Sequence, residues 1–200
     1  MYELKGDRGY MEDRLVVCQL PTGDLFAGVY DGHCGEGCAE YAKQHVHETM
    51  MARPEFAAGD IGEAMRQSFH ITNDEFIAKA AAEGKGEESG TTAVAVLIRG
   101  DTMYVANTGD SRASICSSGV GAALTPDHKP DDPAEMARIK ALGGELDYGG
   151  IGSPDGSNFL KCERSLGDVQ YKAGPRDRHL LCAEPHLFTP ELTPSDALVV

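Results

Sequence analysis

Val29-Tyr30-Asp31-Gly32-His33 is a short apolar run that stops at a carboxylate, a glycine and an imidazole. It reads as the end of a buried β-strand that delivers three chemically useful groups to the edge of a core. Upstream, residues 14–20 and 25–30 form two strand-like runs with Pro21-Thr22-Gly23-Asp24 between them as a four-residue turn signal, so the chain opens on a β-hairpin. With Leu20 facing Leu25, Asp13 falls opposite Gly32 and Arg14 opposite Asp31. The open end of the hairpin then gathers Glu12, Asp13 and Asp31.

Directly opposed residues of an antiparallel pair stand about 4.5–5.5 Å apart at Cβ, where like charges destabilise unless something neutralises them. A hard divalent cation such as Mg²⁺ or Mn²⁺, which prefers oxygen ligands, is the economical neutraliser. Taken alone, Glu12 and Asp13 are solvated turn residues. Asp31 across the hairpin tips the reading toward a metal site.

The composition is that of a globular protein. Its 200 residues are 41% apolar and 25% charged, enough for one domain over residues 1–200 with a sizeable core. A net charge of −14 makes nucleic acid and anionic membrane surfaces unexpected partners. The most apolar run, residues 93–98, is too short to span a bilayer, and no charged-then-apolar leader opens the chain. The expectation is a soluble, cytoplasmic and/or nuclear monomer. Six cysteines lie scattered without a CxxC pair, and a chain of this length needs no disulfide framework. Cys34 and Cys38 beside His33 invite a zinc assignment, but reduced thiols with packing roles fit the spacing better. No cysteine has an arginine six positions on, so the thiolate loop of cysteine phosphatases is absent.

Further along, Cys38, Ala42, Val46 and Met50 recur at four-residue spacing and predict a helix over 35–51, ended by Arg53-Pro54. A second helix starts at Asp60 as N-cap, with Glu63 completing a capping box, and runs to about residue 82. Two amphipathic helices after a hairpin predict an antiparallel pair across one face of a sheet. His45, His47 and His70 within them lack a second ligand at metal spacing and read as surface or core residues. A polar loop over 82–89 leads to a second hairpin, 91–98 with 102–107, and a third strand pair, 112–116 with 122–125. A tight turn at Gly100-Asp101 sets Asp110 opposite Thr91, and on local grounds Asp110 is a turn residue. Asp132-Pro133 opens another helix that Gly143-Gly144 closes. Residues 145–158 read as a mobile loop, 159–162 as a strand, and 197–200 as a strand cut off in progress.

Six motifs now stand in order: Arg8-x-x-Met11-Glu12-Asp13, Val29-Tyr30-Asp31-Gly32-His33, Ser89-Gly90-Thr91-Thr92-Ala93, Ala106-Asn107-Thr108-Gly109-Asp110-Ser111-Arg112-Ala113, Leu124-Thr125-x-Asp127-His128-Lys129-Pro130 and Arg164-Ser165-Leu166-Gly167-Asp168. The chain resembles, over essentially its whole length, the PPM/PP2C family of metal-dependent protein serine/threonine phosphatases. The resemblance implies an α+β fold of two antiparallel sheets packed as a sandwich flanked by antiparallel helix pairs, with a two-metal site at one end. It implies hydrolysis of phosphoserine and phosphothreonine in protein substrates with Mn²⁺ or Mg²⁺, by a metal-activated water attacking phosphorus in line. By the family pattern Asp31 bridges both metals, the Gly32 carbonyl is a ligand, Glu12 and Asp13 help to hold the second ion, and Asp110 matches a third, weaker metal site. Arg8 matches the phosphate-binding arginine, and His33 stands where a general acid could protonate the departing oxygen.

The family pattern also continues past Val200, with a Ser-Asp-Gly segment and an Asp-Asn pair supplying further metal carboxylates. The resemblance therefore implies a phosphatase domain incomplete at its C-terminal end, without its last strands and helix. The alternative is a non-catalytic pseudophosphatase that binds phosphoproteins as a regulatory module.

Overall fold

The computed structural model describes residues 4–84, 88–147, 149–154, 156 and 159–199. Strands β1 (Arg14–Gln19) and β2 (Leu25–Tyr30) form the opening hairpin, followed by the two-residue β3 (Gly32–His33). Helices α1 (Gly37–Met51), α2 (Pro54–Ala58) and α3 (Ile61–Glu83) come next, then β4 (Gly90–Thr91), β5 (Ala93–Arg99) and β6 (Thr102–Thr108). The rest comprises β7 (Ser114–Ser117), β8 (Val120–Ala123), α4 (Pro133–Ala141), β9 (Leu146–Asp147), β10 (Gly150–Gly152), β11 (Phe159–Leu160), β12 (Leu166–Gly167), β13 (His186–Phe188) and β14 (Asp196–Val199).

All paired strands are antiparallel, and the largest sheet has the order β1-β2-β5-β6-β13. Strand β5 sits at its centre and is apolar on both faces, as a strand covered on both sides must be. Ala95 and Leu97 face the helices, where the predicted α1 stripe of Cys38, Ala42, Val46 and Met50 packs with Met65, Phe69 and Phe76 of α3. Val94 and Val96 face the other way, with Met103 and Val105, against Ile115 of β7 and Leu124. Sheet β14-β7-β8 thus lies across the face opposite the helices, the α+β layering the motifs implied. A third core of Ile139, Ile151, Tyr171 and Leu181 joins α4 to sheet β11-β10-β9.

Several expectations need correction. The first hairpin pairs Arg14 with Tyr30 and Gln19 with Leu25, one residue away from the expected register. Gly23 at φ 90° lets a tighter connection close, with Leu20 and Asp24 bonded across it (Leu20 N–H to Asp24 O, 2.8 Å). Extended one step, this register sets Asp13, not Arg14, opposite Asp31. Gly100-Asp101 is the turn of the second hairpin as expected, but its ladder ends at Ala93 with Thr108. Thr91 pairs instead with Gly32 and Leu166, so Asp110 is not its partner. Pro54 does not only end α1: it occupies the first turn of α2, where its missing N–H costs nothing. Residues 145–158 are not a plain loop, since they contain β9 and β10, with Ile151 fully buried. Of the segments expected to be loops or strand, 85–87, Tyr148, Asp155, Ser157, Asn158 and Val200 lie outside the described residues. Among the described residues no cysteine forms a disulfide, and no helix is long and apolar enough to cross a membrane.

Candidate active site

The site grows from the end of β2. Asp31 leaves the strand with its carbonyl accepting from Thr92 N–H at 3.0 Å and its own N–H donating to Thr92 Oγ1 at 3.3 Å. Thr92 Oγ1 also lies 2.6 Å from Ser111 Oγ, next to Asp110. One threonine therefore ties the turn that carries Asp31 to the turn that carries Asp110. Gly109 must be glycine here: it has φ 101°, and a Cβ would stand 2.6 Å from Thr92 Cβ.

The opposite wall is the segment before β1. Arg14 anchors it, forming ion pairs with Glu36 and Glu40 at the start of α1 and donating to the carbonyls of Met11 (3.1 Å) and Asp13 (2.8 Å). Glu12 Oε1 accepts from Gly35 N–H at 2.7 Å. Gly32 packs against this wall so closely that a Cβ would meet the Glu12 carbonyl oxygen at 2.5 Å.

A cleft of about 390 Å³ opens between the walls, and Arg8, Glu12, Asp13, Asp31, Gly32 and His33 all line it, together with Tyr10 and Cys34. Six of the seven residues singled out in the sequence thus share one space. The seventh, Asp110, lines a neighbouring cleft with Lys129, Pro130 and Lys161. It still acts on the first: partial burial, then Asp13, then Asp110, push the Asp31 carboxyl up to about 6. Among the described residues no lysine or arginine pairs with Glu12, Asp13, Asp31 or Asp110. Arg8 is exposed, with Tyr10 OH as a distant partner at 3.5 Å, and forms no ion pair among the described residues.

Crowded carboxylates without a lysine or arginine ion-pair partner among the described residues form an oxygen-only donor set, which suits Mg²⁺ or Mn²⁺ in kind. In number the set is short. Among the described residues no three His, Cys, Asp or Glu side chains group closely enough to hold a metal ion.

His33 lines the cleft, and sequence reasoning missed what holds it. Its Nε2 lies 3.0 Å from both carboxylate oxygens of Asp168, a residue with no exposed surface. Burial presses the imidazolium down, Asp168 and then Asp31 press it up, and the net shift is upward. His128, quoted only as part of a motif, is buried behind the Asp110 turn and accepts from Gly109 N–H at 3.0 Å.

Comparison with known proteins settles the family. The sequence profile described as Protein phosphatase 2C matches residues 3–200. The chain belongs to the protein phosphatase 2C family. It is 34% identical over 178 residues to Protein phosphatase 2C homolog 2 of Aspergillus fumigatus, covering 88% of this chain and 40% of the relative. It is also 34% identical over 203 residues to Probable protein phosphatase 2C T23F11.1 of Caenorhabditis elegans, covering 98% of this chain and 55% of the relative. The chain thus spans about half the length of these relatives, or less. Among solved structures, a serine-threonine phosphatase 2C from Toxoplasma gondii superposes with a TM-score of 0.85 over 96% of this chain and 72% of that one, at 22% identity, which carries the fold. A C. elegans sex-determining protein superposes with a TM-score of 0.81 over 96% of this chain and 48% of that one, at 26% identity. Divalent-metal dependence goes with the protein phosphatase 2C family.

Proposed function

We propose that this chain carries the phosphate-binding and metal-binding half of a protein phosphatase 2C that hydrolyses phosphoserine and phosphothreonine in proteins. The observation that carries the reading is the shared cleft: an arginine and a set of crowded carboxylates, none of them in an ion pair among the described residues, line one space of about 390 Å³. A site built only for packing has no physical reason to collect like charges.

In this reading Asp31, Asp13, Glu12 and the Gly32 carbonyl would hold two Mn²⁺ or Mg²⁺ ions, and Asp110 would serve a third, weaker position. Such ions, when bound, would supply a strongly nucleophilic water at neutral pH and would offset phosphate charge. Arg8 offers planar paired donors to two phosphate oxygens and orients the phosphorus for in-line attack. His33 gives a proton to the departing serine or threonine oxygen, a role worth about 10²–10⁴-fold in rate.

The second reading, a pseudophosphatase that binds phosphoproteins without turnover, is favoured by the missing third ligand among the described carboxylates. Phosphate release from a phosphothreonine peptide with Mn²⁺ separates the two. The comparison uses the 200-residue chain, its Asp31→Asn variant, and any longer natural form of the chain. Turnover that Asp31→Asn abolishes supports the enzyme. Phosphopeptide binding through Arg8 without turnover in any form supports the binding module.

A further inference from the structure

We propose that Asp168 is a positioning residue for the phosphatase reaction: it occupies Nε2 of His33 and thereby makes Nδ1 the nitrogen that serves the substrate. The inference rests on the reading of His33 as the general acid.

The two residues are 135 positions apart and meet through the three-stranded sheet β12-β4-β3. Its central strand sets Gly90 between His33 on one side and Gly167 on the other. A Cβ at Gly90 would collide with both Asp168 Oδ2 and His33 Nε2, so the absence of a side chain there is what lets the imidazole reach the carboxylate. Asp168 itself stands in the left-handed region, φ 53° and ψ 53°, a conformation non-glycine residues avoid and functional sites retain. Its N–H donates to Ser89 O at 3.1 Å, which fixes the backbone.

A carboxylate without exposed surface needs compensation. Besides His33, the fully buried Lys172 supplies it: its ammonium donates to Asn73 Oδ1 and Ser165 O, both at 2.7 Å, and Asp168 is the main charge that opposes its burial. Asn73 Oδ1 also accepts from Gly167 N–H at 3.2 Å, so α3 holds the residue before Asp168 as well. The backbone that carries Asp168 is held by Ser89 and Asn73, and its carboxylate presents both oxygens, at 3.0 Å each, to one ring nitrogen.

A carboxylate acceptor keeps a proton on the nitrogen it faces and fixes the tautomer, the arrangement that commonly orients functional histidines. During turnover the Nδ1–H bond of the imidazolium breaks and an O–H bond forms on the leaving serine or threonine oxygen. The neutral ring retains its Nε2–H against the Asp168 side chain.

The test compares wild type, Asp168→Asn and His33→Ala in the complete polypeptide, with a phosphothreonine peptide and with p-nitrophenyl phosphate. The alkoxide leaving group needs a proton; p-nitrophenolate does not. Asp168→Asn should lower kcat on the peptide about 10–100-fold and on the aryl ester less than about threefold, a split that general loosening of the fold does not produce. If His33→Ala produces that split and Asp168→Asn does not, the proposal fails while the reading of His33 stands. If His33→Ala produces none, His33 is not the acid and both fall. Ring ¹⁵N shifts of His33 in the wild-type 200-residue chain decide independently of activity and of how a variant folds. A proton resident on Nε2 supports the assignment, and a neutral ring protonated only at Nδ1 overturns it.

Discussion

His128 grips Gly109 by both of its peptide groups: the His128 N–H donates to the Gly109 carbonyl at 3.0 Å, and the Gly109 N–H donates to His128 Nδ1, also at 3.0 Å. Because Nδ1 accepts, the ring proton sits on Nε2, which faces His186 Nδ1 at 3.3 Å. Asp110 follows Gly109 directly, so a residue from the Asp127-His128-Lys129-Pro130 motif sets where that carboxylate stands. With Thr92 holding Ser111 from the other side, the turn is fixed at both shoulders.

This clamp works only while His128 is neutral. Burial, then the positive charge of Arg164 and the neighbouring His186, hold its pKa near 4, below the ordinary value near 6.5. A histidine whose folded pKa is depressed stabilises fully above its unfolded pKa, and that contribution is lost as pH falls from about 6.5 through 4. The wild-type chain should lose up to about 3 kcal/mol from this group across that window. His128→Asn should be less stable at pH 7 and show a correspondingly flatter acid limb. Urea denaturation at pH 7, 5.5 and 4.5 measures both slopes, and parallel slopes would refute the assignment.

Glu163 has the opposite pH signature. It is buried, its Oε2 has no hydrogen-bond partner among the described residues, and burial, then Glu135, push its carboxyl up to about 7. A carboxyl raised in the fold binds a proton more tightly than in the unfolded chain, so its ionisation costs stability progressively between about pH 4.3 and 7. Glu163→Gln should be more stable than wild type by about 1–3 kcal/mol at pH 8, with little difference at pH 4.5. Equal gains at both pH values would mean the effect is packing and not charge.

Cys34 stores backbone strain at the mouth of the cleft. Its φ of 56° lies in the left-handed region, and its side chain is exposed, so no packing is lost by removing it. The conformation costs an L-residue roughly 1–2 kcal/mol, partly offset by the greater unfolded-chain entropy of glycine. Cys34→Gly should therefore stabilise by about 0.5–1 kcal/mol. A Cys34→Ala control, which keeps the strain, should give no gain. Denaturation midpoints of the three proteins suffice to check this.

The sequence announced the site better than its supports. The strand end at Asp31 was legible because an apolar run stops abruptly there, and α1 because four buried residues share one stripe. The hairpin register slipped by one because Pro21-Thr22-Gly23-Asp24 reads equally as a four-residue loop or as a tighter one bulged at Gly23. Strands β3, β4 and β12 have two residues each, too few to display alternation. Nothing local could therefore reveal that Asp168 meets His33. The same brevity hid β9 and β10 among glycines that usually signal a loop.

Asp31 places function and stability in opposition. Its carboxylate shares the end of the hairpin with Asp13, and Asp110 adds charge from the neighbouring turn, so the fold without a cation carries repulsion it does not resolve. Asp31→Asn keeps the shape and removes one of the charges. Because Asp31 is only partly buried, solvent screening limits the relief to on the order of 1 kcal/mol. In EDTA the variant should melt a few degrees above wild type, since about 1 kcal/mol shifts Tm by roughly 2–4 °C in a domain of this size. Millimolar Mn²⁺ should reverse the order: wild type gains stability by mass action as the ion binds the folded state, and the variant does not. Thermal unfolding in EDTA and in Mn²⁺ gives four midpoints and a clear crossing. If Mn²⁺ raises both proteins equally, the cation binds elsewhere and the hairpin carboxylates are not its ligands.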